Sequence, residues 1–132
     1  MIRLSTNKIY LKSSPEELFK FLGQTEKMAQ ILSSKKTKHL KVEGETITFI
    51  LKWAARFNFS ITEKTPEYIL IESTEGVEFG TALRFDISKD ESGTFGLIHI
   101  ETDTAPVIDF TLEAKIKKWV AAIVENLEQK FG

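Results

Sequence analysis

Few side chains in this sequence carry the chemistry of a reaction centre. His39 and His99 are its two histidines, the residue type whose ordinary pKa suits a general base, a proton shuttle or a metal ligand. His39 falls in a basic stretch where solvent would surround it. His99 follows Ile98 in an alternating run whose phase points it outward, beside Glu101. Neither has a carboxylate at a fixed short spacing to orient its ring, so no catalytic residue is assigned. Cysteine is absent, which removes disulfides, thiolate catalysis and Cys-based metal sites, and no other cluster has metal-ligand spacing. No cofactor is expected. Ser33-Ser34-Lys35-Lys36 matches S-x-x-K, but the companion motifs of penicillin-binding enzymes are missing, and neither common Gly-rich phosphate loop occurs.

Other polar residues suggest binding or surface roles. The lysines between Lys35 and Lys41 could touch a phosphate of RNA or of a lipid headgroup. They lack interleaved aromatics and a wider basic surface, and they read as a solvated connector. The formal net charge is −1, too small a field to recruit nucleic acid or an anionic membrane. Arg56, Arg84 and Asp86 read as outward-facing cross-strand partners. Tyr10 and Tyr68 are the candidate polar handles inside an apolar pocket, since a phenol tolerates burial once its hydroxyl is paired, with core packing the favoured role for both.

The element that must position these residues is C-terminal. Ile108, Leu112, Ile116, Trp119, Val120, Ile123 and Leu127 recur at steps of three and four, the stripe of an amphipathic helix from Pro106 to Phe131. Pro106 suits the first turn, and Thr104 or Asp103 can cap it. A stripe of this length needs a complementary apolar surface. A chain of 132 residues, 42% hydrophobic, is one domain, residues 1–132, with enough mass for a core.

Ile2 to Lys12 is strand-like, with a change of phase near Asn7-Lys8 that suggests a bulge. Ser14-Pro15-Glu16-Glu17 opens a short helix as a capping box, ended by Gly23. Thr25 reads as the cap of a second helix, Glu26 to Leu32, and Ser33 to His39 as the connector. The period then becomes two: Leu40-Lys41-Val42, a turn at Gly44-Glu45, and the runs Ile47–Leu51, Phe57–Thr62, Tyr68–Ser73, Phe79–Ser88 and Thr94–Thr102. Consecutive hairpins imply a curved antiparallel sheet of about seven strands, in the order β-α-α-β6-α, around the long helix. Trp53, in a strand-to-strand turn, is expected to be exposed. The Asn58-Phe59-Ser60 sequon is expected to be chance. Met1-Ile2-Arg3-Leu4 has no signal-peptide architecture and no run has membrane-spanning length, so a cytoplasmic protein without stable membrane insertion is expected.

The Ser13–Leu22 entry into the first helix, Thr25-Glu26-Lys27-Met28-Ala29, the Ile61–Pro66 strand and turn, and the Pro-initiated last helix together resemble a family. The chain is similar to the START-like, Bet v 1-like superfamily (SRPBCC, polyketide cyclase/dehydrase-like), and to its small members from Bacteroidetes-type bacteria. The resemblance implies an α+β helix-grip fold with a hydrophobic pocket between sheet and last helix. Periodicity places Ile47, Phe49, Leu51, Phe57, Phe59, Ile61, Leu83 and Phe85 on the pocket face, opposite Ile116, Trp119 and Ile123. These side chains either line a ligand cavity or fill a core.

The expected function is non-catalytic binding of a small hydrophobic or amphipathic ligand, such as a lipid or polyketide. The alternatives are a polyketide cyclase/dehydratase-like enzyme and a protein-interaction module with a filled core. No nucleic-acid partner is expected, and a monomer and a homodimer are both compatible with the sequence. The capping box makes one prediction at once. Ser14→Ala should cost about 0.5–2 kcal/mol by orphaning a helix N–H. A denaturation midpoint that does not move would exclude Ser14 as the cap.

Overall fold

In a computed structural model the chain is described except for Trp53, Ala54, residues 74–78 and Ala105, together with the side chains of residues 106–109. The expectation for an exposed Trp53, the Thr104 or Asp103 cap and the Ile108 side chain therefore lie outside, or rest on, residues that are not described. The strands are β1 (Ile2–Ser5), β2 (Ile9–Leu11), β3 (Thr37–Glu43), β4 (Thr46–Leu51), β5 (Ala55–Lys64), β6 (Tyr68–Ser73), β7 (Thr81–Asp90) and β8 (Gly93–Thr102). The helices are α1 (Pro15–Leu22), α2 (Thr25–Leu32) and α3 (Pro106–Phe131). All strand pairings are antiparallel, in the order β1-β8-β7-β6-β5-β4-β3, with β2 also on β8. The result is an α+β helix grip: a curved, open sheet with α3 across its inner face.

The sheet has eight strands rather than about seven, because the first run is two. β1 and β2 occupy successive stretches of β8, and the chain between them is held by Thr6 N donating to Ile98 O and Ile98 N donating to Thr6 Oγ1, both at 3.0 Å. The phase change near Asn7-Lys8 is this break. Ser14 Oγ accepts from Glu17 N at 3.2 Å with Pro15 in the first turn. The second cap differs from the reading above: Gln24 is the N-cap, with no side-chain bond, and Thr25 is already helical. Gln24 O accepts from Met28 N at 2.8 Å, so the helix starts one residue earlier than Thr25 would allow.

The connector expected over Ser33 to His39 also ends early. Thr37 closes a turn on Ser34, with Ser34 N donating to Thr37 Oγ1 and Thr37 Oγ1 to Ser34 O, each at 2.9 Å, and β3 begins there. A register shift between Lys38 and Lys41 places His39 at φ 56°, in the left-handed region. The register shift leaves one extra residue to absorb, and His39 takes it up.

One exposed network fastens β2 to the far end of β7. Asp90 Oδ2 accepts from Lys8 Nζ at 2.9 Å and from Tyr10 OH at 2.8 Å. The Lys8 ammonium, and then the Tyr10 hydroxyl, hold the Asp90 carboxyl down at about 2. A carboxyl whose folded pKa is depressed stabilises the fold above its unfolded pKa of about 3.9, and that contribution is lost as pH falls toward the folded value. Wild type should therefore lose stability between about pH 4 and pH 2 more steeply than Asp90→Asn does. Parallel acid-denaturation curves would show that the network adds nothing.

Candidate functional site

The inner face is built from the alternate residues of the strands. Ile47, Phe49, Leu51, Phe57, Phe59, Leu83, Phe85, Ile116, Trp119 and Ile123 are all buried and belong to one cluster. Ile61 is the exception: it is half-buried, packed against the edge of the cluster next to the register shift between Ile61 and Glu63. The rings meet directly. Trp119 lies 5.4 Å from Phe49, 5.9 Å from Phe57 and 6.3 Å from Phe59, centroid to centroid. Phe57 and Phe59 stack at 5.7 Å and 5°. Separations in this range are those of contacting aromatic pairs, so here the side chains on the expected pocket face fill the space between sheet and helix.

Polar bonding locks that packing. The last carbonyls of a helix have no partner within it, and at α2 they are met by α3. Trp119 Nε1 donates to Leu32 O at 2.9 Å in a buried position. Asn126 Nδ2 donates to Ile31 O at 2.9 Å and to Ser33 O at 2.6 Å. The indole is thus fixed at both its apolar face and its polar edge.

Beside this closed region lies an open recess. It is lined by Lys36, Leu51, Lys52, Lys115 and Lys118 and has a volume of about 140 Å³. Leu51 lies beneath it and belongs to the core, with 1% of its surface exposed. Lys52 N donates to Lys36 O at 2.7 Å, and Thr37 pairs with Leu51, so the strand ladder sets two lysines side by side. Lys115 and Lys118 are three apart on α3 and share a face. The sequence reading put Lys36 in a solvated connector and assigned no role to Lys115 and Lys118. The available signal was the i, i+3 spacing of two lysines bordering the apolar stripe, but what they border becomes visible only from the β3–β4 register.

The outer face carries the chain's other polar assembly. His99 Nε2 lies 2.8 Å from Asp86 Oδ2, and Ser5 Oγ lies 2.8 Å from His99 Nδ1. Asp86 also takes Arg84 Nε at 2.9 Å. His99 does point outward, but it has an orienting carboxylate after all. Asp86 is distant in sequence and is delivered by the β7–β8 register, in which Arg84 pairs with His99. With Nε2–H donated to Asp86, Nδ1 can accept the Ser5 proton. The assembly sits in an open basin rimmed by Arg3 and Glu101, themselves paired at 3.4 Å and largely exposed. It bonds three neighbouring strands, β1, β8 and β7, to one another. Arg84 and Asp86 pair along one strand, not across two.

Neither tyrosine is an interior handle. Tyr10 is 44% exposed and bonds Asp90. Tyr68 OH bonds Glu63 on the outside, under the Arg84 guanidinium at 5.7 Å. Both fall at outward positions of their strands, which set the direction of the side chains. Among the described residues no group of three or more His, Asp or Glu side chains converges as a metal site, and no helix is long and apolar enough to cross a membrane.

The sequence matches no family profile and no curated protein. Solved structures do share the fold. The KanY protein superposes at TM-score 0.75 with 11% identity, over 98% of each chain. XoxI from Bacillus cereus gives 0.67 at 13% identity, covering 99% of this chain and 96% of its own. MLL2253 from Mesorhizobium loti gives 0.66 at 14% identity, covering 97% and 95%. At these identities the likeness establishes the helix-grip architecture over the whole chain and carries no activity.

The packing around Trp119 makes the sharpest energetic prediction. Trp119→Ala should destabilise by about 3–5 kcal/mol, the range for deleting a well-packed aromatic. Trp119→Phe keeps an aromatic ring but strands the Leu32 carbonyl, and should cost about 1–3 kcal/mol. Denaturation midpoints check both. A loss well below these figures for Trp119→Ala would mean that the indole borders empty space.

Proposed function

We propose that the protein is a non-catalytic binder of a small amphipathic molecule and a member of the START-like, SRPBCC superfamily. The observation that supports this is the recess at the seam between the end of β4 and α3, lined among the described residues by Lys36, Leu51, Lys52, Lys115 and Lys118. Drug-sized ligands occupy pockets of about 300–1,000 Å³. A recess of about 140 Å³ suits a headgroup with a short aliphatic stem rather than a sterol. On this reading the ligand sits at the margin of the core, while the ring cluster around Trp119 remains packed. The protein works as a single cytoplasmic domain without a bound cofactor.

The cyclase-like alternative needs polar groups facing an interior substrate. The buried polar residues among those described are Thr81, Thr94, Thr102 and Thr104, which supply neither an acid nor a base of suitable pKa. The interaction-module alternative draws on a different observation, the filled ring cluster together with Phe110, 89% exposed on the first turns of α3.

Native mass spectrometry of protein taken from its own cells separates these readings. A co-purifying small molecule supports the binder, and a co-purifying polypeptide with no small molecule favours the interaction module. If binding requires no chemistry, replacing both histidines (His39→Gln with His99→Gln) should leave the affinity for a captured ligand unchanged. A turnover that the wild type shows and this variant loses would make a histidine a general base and refute the non-catalytic reading.

A further inference from the structure

We infer that the outer side of α3 between Lys117 and Glu128 is the docking surface for a second copy of this chain, the two helices lying antiparallel about a twofold axis that passes between Ala121 and Val124. The inference goes beyond the binding reading and needs no ligand.

Lys117, Ala121, Val124 and Glu128 follow one another at steps of four, three and four, which sets them in a line along α3. Lys118 and Glu125 flank that line on its solvent side. Val124 is half-buried and the other five are exposed. Ala121, Val124 and Glu128 also form one wall of a groove of about 500 Å³ whose opposite wall is the Thr6–Tyr10 stretch. The strand edge therefore leaves this side of α3 open.

Charge along this face is segregated: both lysines precede Ala121 and both glutamates follow it. Within one helix the two groups stand about 10–16 Å apart along the axis, beyond the one-turn spacing at which helix side chains pair. Lys117 meets Glu113 on its own helix at 3.7 Å, an exposed contact, and Glu125 accepts from Gln129 Nε2 at 3.4 Å. Lys118 and the Glu128 carboxylate have no partner among the described residues. Glu128 also stands in the last turn of α3, where the helix dipole disfavours an anion. An antiparallel second copy answers all of this at once. It sets Lys117 opposite Glu128 of the second copy and Lys118 beside its Glu125, and the twofold axis repeats each pair. Ala121 and Val124 of both copies then meet at the centre, over the groove. A parallel copy would lay lysine on lysine and glutamate on glutamate. The face is complementary to its own reverse, and this is what points to a second copy rather than to another protein.

The test reads molar mass by sedimentation equilibrium on the whole chain at low salt. Wild type should reach twice the monomer mass at or below about 1 mM. An acidic variant (Lys117→Glu with Lys118→Glu) and a basic variant (Glu125→Lys with Glu128→Lys) should each self-associate about tenfold or more weakly, and their equal mixture should associate as tightly as wild type. All four side chains are exposed, so both variants should keep the wild-type circular dichroism. Orientation is read by cross-linking, since the sequence has no cysteine of its own. Ala121→Cys, beside the axis, should oxidise to a disulfide-linked dimer. The thiols of Ala114→Cys would lie roughly 25 Å apart in the antiparallel pair and should not link. A wild type that stays monomeric at about 1 mM would overturn the inference. So would charge variants that associate as wild type does, or a mixture of the two that stays monomeric. Linking through Ala114→Cys but not through Ala121→Cys would overturn the antiparallel arrangement.

Discussion

Trp119 is the residue on which the architecture closes. Its rings lie against Phe49, Phe57 and Phe59 from two neighbouring strands, and its N–H ends α2 by bonding Leu32 O. The apolar contact gives the larger part of the stabilisation, and the hydrogen bond gives direction. An indole that only filled space could tilt or slide along the sheet. An indole whose N–H must reach one buried carbonyl fixes the rotation of α3 about its own axis and the distance of α2 from it. Asn126, seven residues along the helix, repeats the device on Ile31 O and Ser33 O. Two side chains of one helix therefore satisfy the open end of another, and the sheet, α2 and α3 share a single packed centre.

That centre has a functional consequence. A helix grip offers a place for a ligand between sheet and helix, but here the chain's own aromatic side chains take that place around Trp119. Recesses are left at the margins of α3: one where Leu51 ends β4 beside Lys115 and Lys118, and a larger one between the Thr6–Tyr10 stretch and Ala121, Val124 and Glu128. The concave face and the recess are continuous along β4, with Phe49 and Leu51 two residues apart on the same side. The margin and the packed centre therefore draw on neighbouring residues of the same strand. The outer-face chain Ser5–His99–Asp86 has the atom order of a proton relay, yet it lies across strand pairs in an open basin and belongs with the sheet's surface bonding.

Much of the fold was legible because it is written in local periods. The three-and-four stripe of α3 and the alternation of β4, β5 and β7 predicted ten of the eleven candidate pocket residues as buried, with Ile61 half-buried at the edge of the cluster beside a register shift that alternation alone does not reveal. The Ser14 cap was legible for the same reason, since a cap acts over three residues. What was illegible is non-local. Asp86 beside His99, Lys52 beside Lys36, and both of those lysines beside Lys115 and Lys118 depend on strand register and on the docking angle of α3. Tyr10 and Tyr68 were read as interior residues, in the core or as pocket handles, whereas strand phase turns both outward. Whether the inner face was hollow or filled depended on ring-to-ring distances, which residue types do not carry.

The closed centre is tested most directly by hydrogen exchange at the Trp119 indole N–H, followed by NMR. With the N–H bonded to Leu32 O inside a packed cluster, its exchange should be slowed to nearly the rate set by global unfolding. Rapid exchange would mean that the space around Trp119 is open.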